Sequence, residues 1–339
     1  MSARQTCSRV ACRDGSIAYT FRGSEYGMCA HRHIANLRGM VEAAVDAKTR
    51  LYFKAGNEGE VIAKDLLHDL AAKDPRLGVE EYASGYQNQT SVTVTDKRLD
   101  SDDGIDREVR LVCSPDGRLS SLGDIARIFA AAGWLKGYVP DAGDGPAHIG
   151  VRGERRQYAL EVKVYGDSTE AKFIKKGAAA FPTLEWQTSG VSAGYEKRLE
   201  APVGVVCLIL RREPVKDEAG NVIDFTVPRD QVPSVWVYDR PRYTARECLD
   251  RCWGVVDAYE AGKWEVCDNS YFCRYPHRPT PVLDVVAESM LESLHKAWQA
   301  FQLASRDAEG LLIGRQNGDV VSGYTVCRQL LSVPLVRPL

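Results

Sequence analysis

The chain has 339 residues, 44% of them apolar and 27% charged, with a formal net charge of -2. That is the composition of an ordinary folded domain with enough volume for a real core. A balance so close to neutral gives nucleic-acid binding no support from global charge, so any basic surface must be local. The longest apolar stretch, "VGVVCLIL" at 203–210, is too short to span a bilayer.

The opening "MSARQTCSRVACRDG" has no apolar signal core, which points to the cytoplasm. "EYGMCAHRHIANLRGMVEAAVDA" reads as helical over most of its length. In "GEVIAKDLLHDLAAKD", Val61, Leu66, Leu67 and Leu70 form an apolar helical stripe, which Pro75 and Gly78 end. Strand-like alternation follows around 79–100, and "REVRLVCS" at 107–114 is a second strand closed by a "PDG" turn. "SLGDIARIFAAAG" is a short helix and "YVPDAGDGP" a loop.

"AHIGVRGERRQYALEVKVYG" reads as two strands joined by a tight polar turn near Gly153–Arg156, which places His148 opposite Glu161. The segment "STEAKFIKKGAAA" is helical, "LEWQTSGVSAGYEKRL" follows it, and "GVVCLILRR" and "SVWVYDR" are strands around a "DEAGN" turn. "TARECLDRCWGVVDAYEAG" is a helix, and a Cys- and Pro-rich loop comes after it. A long helix over 282–305 and a small β-hairpin or meander in the tail complete the chain. The pattern predicts an α/β fold with a mixed central β-sheet flanked by helices, over 1–281, with 282–339 as a C-terminal extension.

Chemistry concentrates at "YALEVKVYG". Glu161 and Lys163 are two apart in an apolar strand and project from the same face. Burying an acid and a base is costly unless they are paired or hold a charged ligand. An exposed strand with an ordinary ion pair is one reading; the heart of an active site is the other. Phosphodiester hydrolysis fits the second. A divalent cation needs a carboxylate oxygen, and a neighbouring lysine steadies a charged transition state.

Over 148–195 the order of features resembles the RecB-like branch of the PD-(D/E)XK nucleases, especially phage-type relatives of the CRISPR-adaptation exonucleases with their iron–sulfur cluster. Glu161, Lys163, Phe173, Gly177, Pro182, Gln187 and Tyr195 match. Upstream, Glu60 in "FKAGNEGEV" matches the family's first-helix acid. The resemblance implies a restriction-endonuclease-like core. It also implies a metal-dependent DNA nuclease, by expectation an exonuclease, in phage or mobile-element recombination or processing. Magnesium or manganese would sit on Glu161, with Asp116 or His148 as companion. Lys163 would activate water or steady the transition state, and Gln187 would position DNA or the lysine.

The family's hairpin Asp is replaced by "AHIGV", so three outcomes stay open. Asp116 supplies the second acid, His148 ligates the metal, or the site is degenerate and the chain binds DNA or a partner without cutting. Cys29, Cys267 and Cys273 match the iron–sulfur ligands of such relatives, with His277, Cys248 or Cys252 as a fourth; a rival four-thiolate zinc site would use Cys7, Cys12, Cys267 and Cys273. Cys113, Cys207 and Cys327 read as packing residues. DNA contacts are expected from Arg32 and its neighbours His31, His33 and Arg38, from Lys172, Lys175 and Lys176, and from Arg152, Arg155 and Arg156. A recombination or replication protein is a possible partner, and no membrane is expected.

Overall fold

The computed structural model describes residues 7–26, 30–39, 47–82, 91–99, 104–140, 155–263, 315–316 and 319–320. The chain divides into two units, Met1–His277 and Arg278–Leu339. Of the second, the described part is a minimal hairpin, Arg315–Gln316 with Asp319–Val320, consistent with the hairpin expected in the tail. The helix expected over 282–305 lies outside the described residues.

The first unit is α/β, with mixed sheets flanked by helices. It opens with a hairpin, β1 (Cys7–Ala11) and β2 (Ile17–Arg22), followed by α1 (Gly23–Tyr26) and α2 (Ala30–Leu37). A long helix, α3 (Ala47–Lys73), leads to β3 (Leu77–Tyr82), β4 (Val92–Leu99), β5 (Asp106–Cys113) and β6 (Gly117–Ser121). Then come α4 (Ile125–Ala131), β7 (Leu135–Val139), β8 (Arg156–Tyr165), α5 (Asp167–Lys176) and α6 (Pro182–Leu199). The unit ends with β9 (Val203–Arg211), β10 (Glu213–Lys216), β11 (Val222–Thr226), β12 (Ser234–Tyr238) and α7 (Ala245–Glu260).

Two sheets carry the core. One has four strands in the order β1-β2-β5-β4; the other has six, β3-β6-β8-β9-β12-β7. Strand β9 is apolar on both faces, and every residue from Val203 to Leu210 is buried, as a central strand requires. It runs parallel to β8, so α5 and α6 form the crossover between them. On one face of the six-stranded sheet, Leu160, Val162 and Val164 join Val206, Leu208 and Leu210 under α3 and α4. On the other, Val205, Cys207 and Ile209 pack under Phe173, Ala178 and Leu184. Helix α6 is buried on several sides from Thr188 to Tyr195 because it contributes to the cores of both sheets. Gly194 permits this, since a Cβ there would lie 2.5 Å from Val92.

Several expectations need correction. The second helix begins at Ala47, twelve residues before the apolar stripe suggested. Its buried line is Ala55, Gly59, Ile62, Ala63 and Leu67, while Val61 is exposed. The alternation around 79–100 is two strands in two different sheets, β3 and β4. The strand paired with β8 is β6, through Gly117↔Leu160 to Ser121↔Arg156. With β9 on its other edge, β8 has no room beside residues 157–160 for a strand from 147–152. His148 lies outside the described residues.

Candidate functional site

The site forms where β8 outruns its neighbour. Strand β6 covers β8 only as far as Leu160. Beyond that point the Val162 N–H has lost its strand partner, and Asp116 takes it: the Val162 amide donates to Asp116 Oδ2 at 2.7 Å. Asp116 precedes β6 in the "SPDG" turn, so the end of one strand delivers a carboxylate to the open edge of the next.

Glu161 and Lys163 face the α5–α6 side of β8. Glu161 sits beside Cys207 of β9 in register and is 2% exposed. Its Oε1 accepts from the Lys163 ammonium and, at 2.5 Å, from Gln187 Nε2 on α6. Its Oε2 is buried with no hydrogen-bond partner among the described residues. Lys163 is only half-buried, so the pair leads from the interior toward the surface.

Glu60 arrives from the opposite face on α3. Gly59 allows the approach: a Cβ there would lie 2.2 Å from Val164 Cγ2, so only glycine lets the helix lie this close to β8. Glu60 then falls within the electrostatic field of Asp116 and Lys163.

Crowding and burial shift the acids together. Burial pushes the Glu60 carboxyl up to about 7, with the Asp116 charge adding to the shift and Lys163 opposing it. Burial also raises Asp116, against the pull of Lys163 and the Val162 amide. Glu161 is raised by burial and by its acidic neighbours, despite Lys163. Burial pulls Lys163 down, but Glu161 and Asp116 outweigh it and keep the ammonium fully charged. Three carboxyls and one ammonium thus share a site in which the acids lack enough positive charge to ionise freely.

The donor set suits a hard divalent cation, which takes oxygen ligands. The buried, unbonded Oε2 of Glu161 is the atom such an ion would satisfy, and Asp116 is the second oxygen ligand at hand. In the present arrangement no three His, Cys, Asp or Glu side chains among the described residues are disposed to hold a metal ion.

The other expected site residues are placed as follows. Gln187 joins the cluster. Tyr195, eight residues further along α6 and about 12 Å away along the axis, is fully buried in the core with Tyr19 and Phe21. Arg32 is 7% exposed, and His31 and His33 are buried too. Helix α2 turns these three inward, with Cys7 Sγ donating to the His33 carbonyl at 3.2 Å and the Phe21 ring edge-on to His33. A surface role for Arg32 is therefore withdrawn. Lys172, Lys175 and Lys176 are exposed on α5. Arg155 is tied to the fold, donating to Ser120 Oγ at 3.2 Å and to the Pro75 carbonyl at 3.3 Å; Arg152 lies outside the described residues.

Cys29, Cys267 and Cys273 also lie outside them. Cys252 is buried in the core with Cys7, Cys113 and Cys248, and burial holds its thiol well above the ordinary value. Cys113 and Cys207 are packing residues, as their strands implied. No helix among the described residues is long and apolar enough to cross a membrane.

Sequence reasoning missed how β6 places Asp116. The one local signal is the "PDG" turn that opens the strand. Comparison with family models, with curated proteins and with solved structures finds no match.

Proposed function

We propose that the protein is a divalent-cation-dependent deoxyribonuclease of the RecB-like PD-(D/E)XK type, acting on DNA ends in phage or mobile-element recombination or processing. The observation that carries this reading is the buried carboxylate oxygen of Glu161, without a hydrogen bond among the described residues, beside two further acids with raised affinity for protons. In a buried structural ion pair the remaining oxygens are bonded in the large majority of cases.

The arrangement also follows the order Pro115-Asp116, then Glu161-Val162-Lys163, with Asp116 just ahead of β6 and Glu161 midway along the neighbouring β8. This favours Asp116 over His148 as the second acid. Magnesium or manganese, when bound, would neutralise phosphate charge and acidify the attacking water. Glu161 and Asp116 would hold that ion. Lys163, charged throughout the working range, would sit against the phosphate oxygens as negative charge builds on them. Gln187 fixes the Glu161 head group through Oε1 and leaves Oε2 for the ion. Glu60, with a carboxyl poised at about 7, is suited to take the proton that the water loses. Lys172, Lys175 and Lys176 would meet the DNA backbone.

Incubation of end-labelled linear DNA with purified protein and magnesium or manganese tests the proposal. The wild type should degrade it, and Glu161→Ala, Lys163→Ala and Asp116→Ala should each lose at least about a hundredfold in rate. Equal, negligible cleavage by all four would favour a nuclease fold that binds DNA or a partner without cutting.

A further inference from the structure

Glu161, Lys163 and Tyr165 alternate along β8 and project from one face. The proposed hydrolysis uses the first two; Tyr165 lies beside them at the rim of the core, where it and Phe181 pack against the cluster of Phe173, Ala178 and Leu184. Tyr165 is half-buried, and its ring packs against that of Phe181, also half-buried, with centroids 5.2 Å apart at 46°. Phe181 immediately precedes α6, the helix that brings Gln187 to Glu161. The aromatic pair therefore adjoins the charged site on the same face of the sheet.

The backbone beneath Tyr165 is held from behind. The Arg212 amide donates to the Tyr165 carbonyl at 2.8 Å, and the Arg212 guanidinium donates to the Val164 carbonyl at 2.8 Å. That guanidinium lies 4.0 Å over the Tyr52 ring of α3 and 5.2 Å from the Phe225 ring. The strand end is thus fixed before any ligand arrives, so the ring loses little freedom on binding. Two residues along a strand is about 7 Å, so the ring stands one nucleotide's reach from the ammonium that would grip the phosphate.

We propose that Tyr165 and Phe181 form a stacking subsite for the nucleobase adjoining the phosphate held at Glu161 and Lys163. The inference rests on the nuclease reading and adds the feature of the DNA that the site selects: a base free to leave its neighbours and lie on an aromatic face. Stacking of this kind tolerates any base, because each has a π-face. The subsite therefore selects for an unpaired end rather than for a sequence. A base still paired within an intact duplex could not occupy it without first unstacking.

The test compares oligonucleotides that end in a normal nucleotide with ones that end in an abasic residue. Binding is read by fluorescence anisotropy with calcium in place of magnesium, and cleavage separately with magnesium. The wild type should bind the base-bearing end roughly 5- to 100-fold more tightly than the abasic end. Tyr165→Leu and Phe181→Leu should erase that preference, and Tyr165→Phe should keep it. Circular dichroism checks that each variant is folded, and the wild-type comparison decides even if the leucine variants are not. Equal wild-type affinity for the two ends, or an undiminished preference in folded Tyr165→Leu, overturns the subsite. A wild type that cleaves DNA but shows no base preference sinks the subsite and spares the nuclease. One that shows the preference but never cleaves does the reverse.

Discussion

Glu60 offers the sharpest check on the electrostatics, because its carboxyl is displaced and only half-buried. Its ordinary pKa of 4.5 is raised to about 7 in the fold, chiefly by burial and then by the Asp116 charge. Between those two values the folded state holds more protons than the unfolded one. Stability therefore falls as pH rises through this window. For an enclosed group the cost at pH 8 would be about 3 kcal/mol; for one partly open to water it is about 1–2 kcal/mol. Glu60→Gln removes the charge and keeps the shape. In metal-free buffer the variant should match the wild type at about pH 4 and exceed it by about 1–2 kcal/mol at pH 8. Urea unfolding at a series of pH values measures this directly. A difference that is flat with pH, or a variant less stable than the wild type at pH 8, would refute the claim that Glu60 is forced to ionise against its neighbours.

Three further outcomes are expected. Magnesium or manganese should raise the unfolding midpoint more at pH 8 than at pH 5, since the ion competes with protons for the same oxygens, and Glu161→Gln should flatten that response in calorimetry. Gly59→Ala puts a methyl group 2.2 Å from Val164 Cγ2; it should cost about 1–3 kcal/mol in urea unfolding and slow cleavage by pushing Glu60 away from Asp116. Arg32→Ala should lower the unfolding midpoint yet leave the salt dependence of DNA binding unchanged, whereas reversing Lys172 or Lys175 to Glu should reduce that slope by about one per lysine.

The parts of this fold that were legible in the sequence are those whose pattern and burial agree. Strand β9 is apolar at nearly every position and buried at nearly every position, so a central strand was readable. Glu161 and Lys163 stood out because charge interrupts an apolar run. Strand β6 was not readable. "GRLSS" has no apolar alternation, and its serines are buried only because the sheet covers them: Ser120 and Ser121 are both fully buried. Ser120 is paired with Glu80 of β3 and Arg155, partners that no local window contains. With β6 hidden in this way, the nearest strand-like segment in the sequence is the one around His148, which is why local pattern points to it as the partner of β8. The N-terminal hairpin was missed for the opposite reason. Its Asp14-Gly15 turn lies between alternating segments, but the interleaved Arg9, Arg13 and Asp14 hid the periodicity. Helix α2 misled through composition: His31, Arg32 and His33 read as a basic surface, and tertiary packing turns them inward.

The choice between a surface ion pair and a reactive site at Glu161 can now be argued from energetics. A surface pair requires an exposed acid, and Glu161 is 2% exposed. A buried structural pair remains physically reasonable, but such a pair holds a fold together only when the oxygens left over are also bonded. Here one oxygen is satisfied by Lys163 and Gln187, while the other has no hydrogen bond among the described residues. Asp116 and Glu60 then add charge of the same sign as Glu161, which makes its ionisation harder. For stability alone, apolar side chains at these positions would serve better, and the surrounding core of Leu160, Val162 and Val206 shows that such packing is available one residue away on the same strands. An arrangement that raises the free energy of the folded chain at three acids fits the proposed reading, in which a divalent cation held by Glu161 and Asp116 would relieve those two.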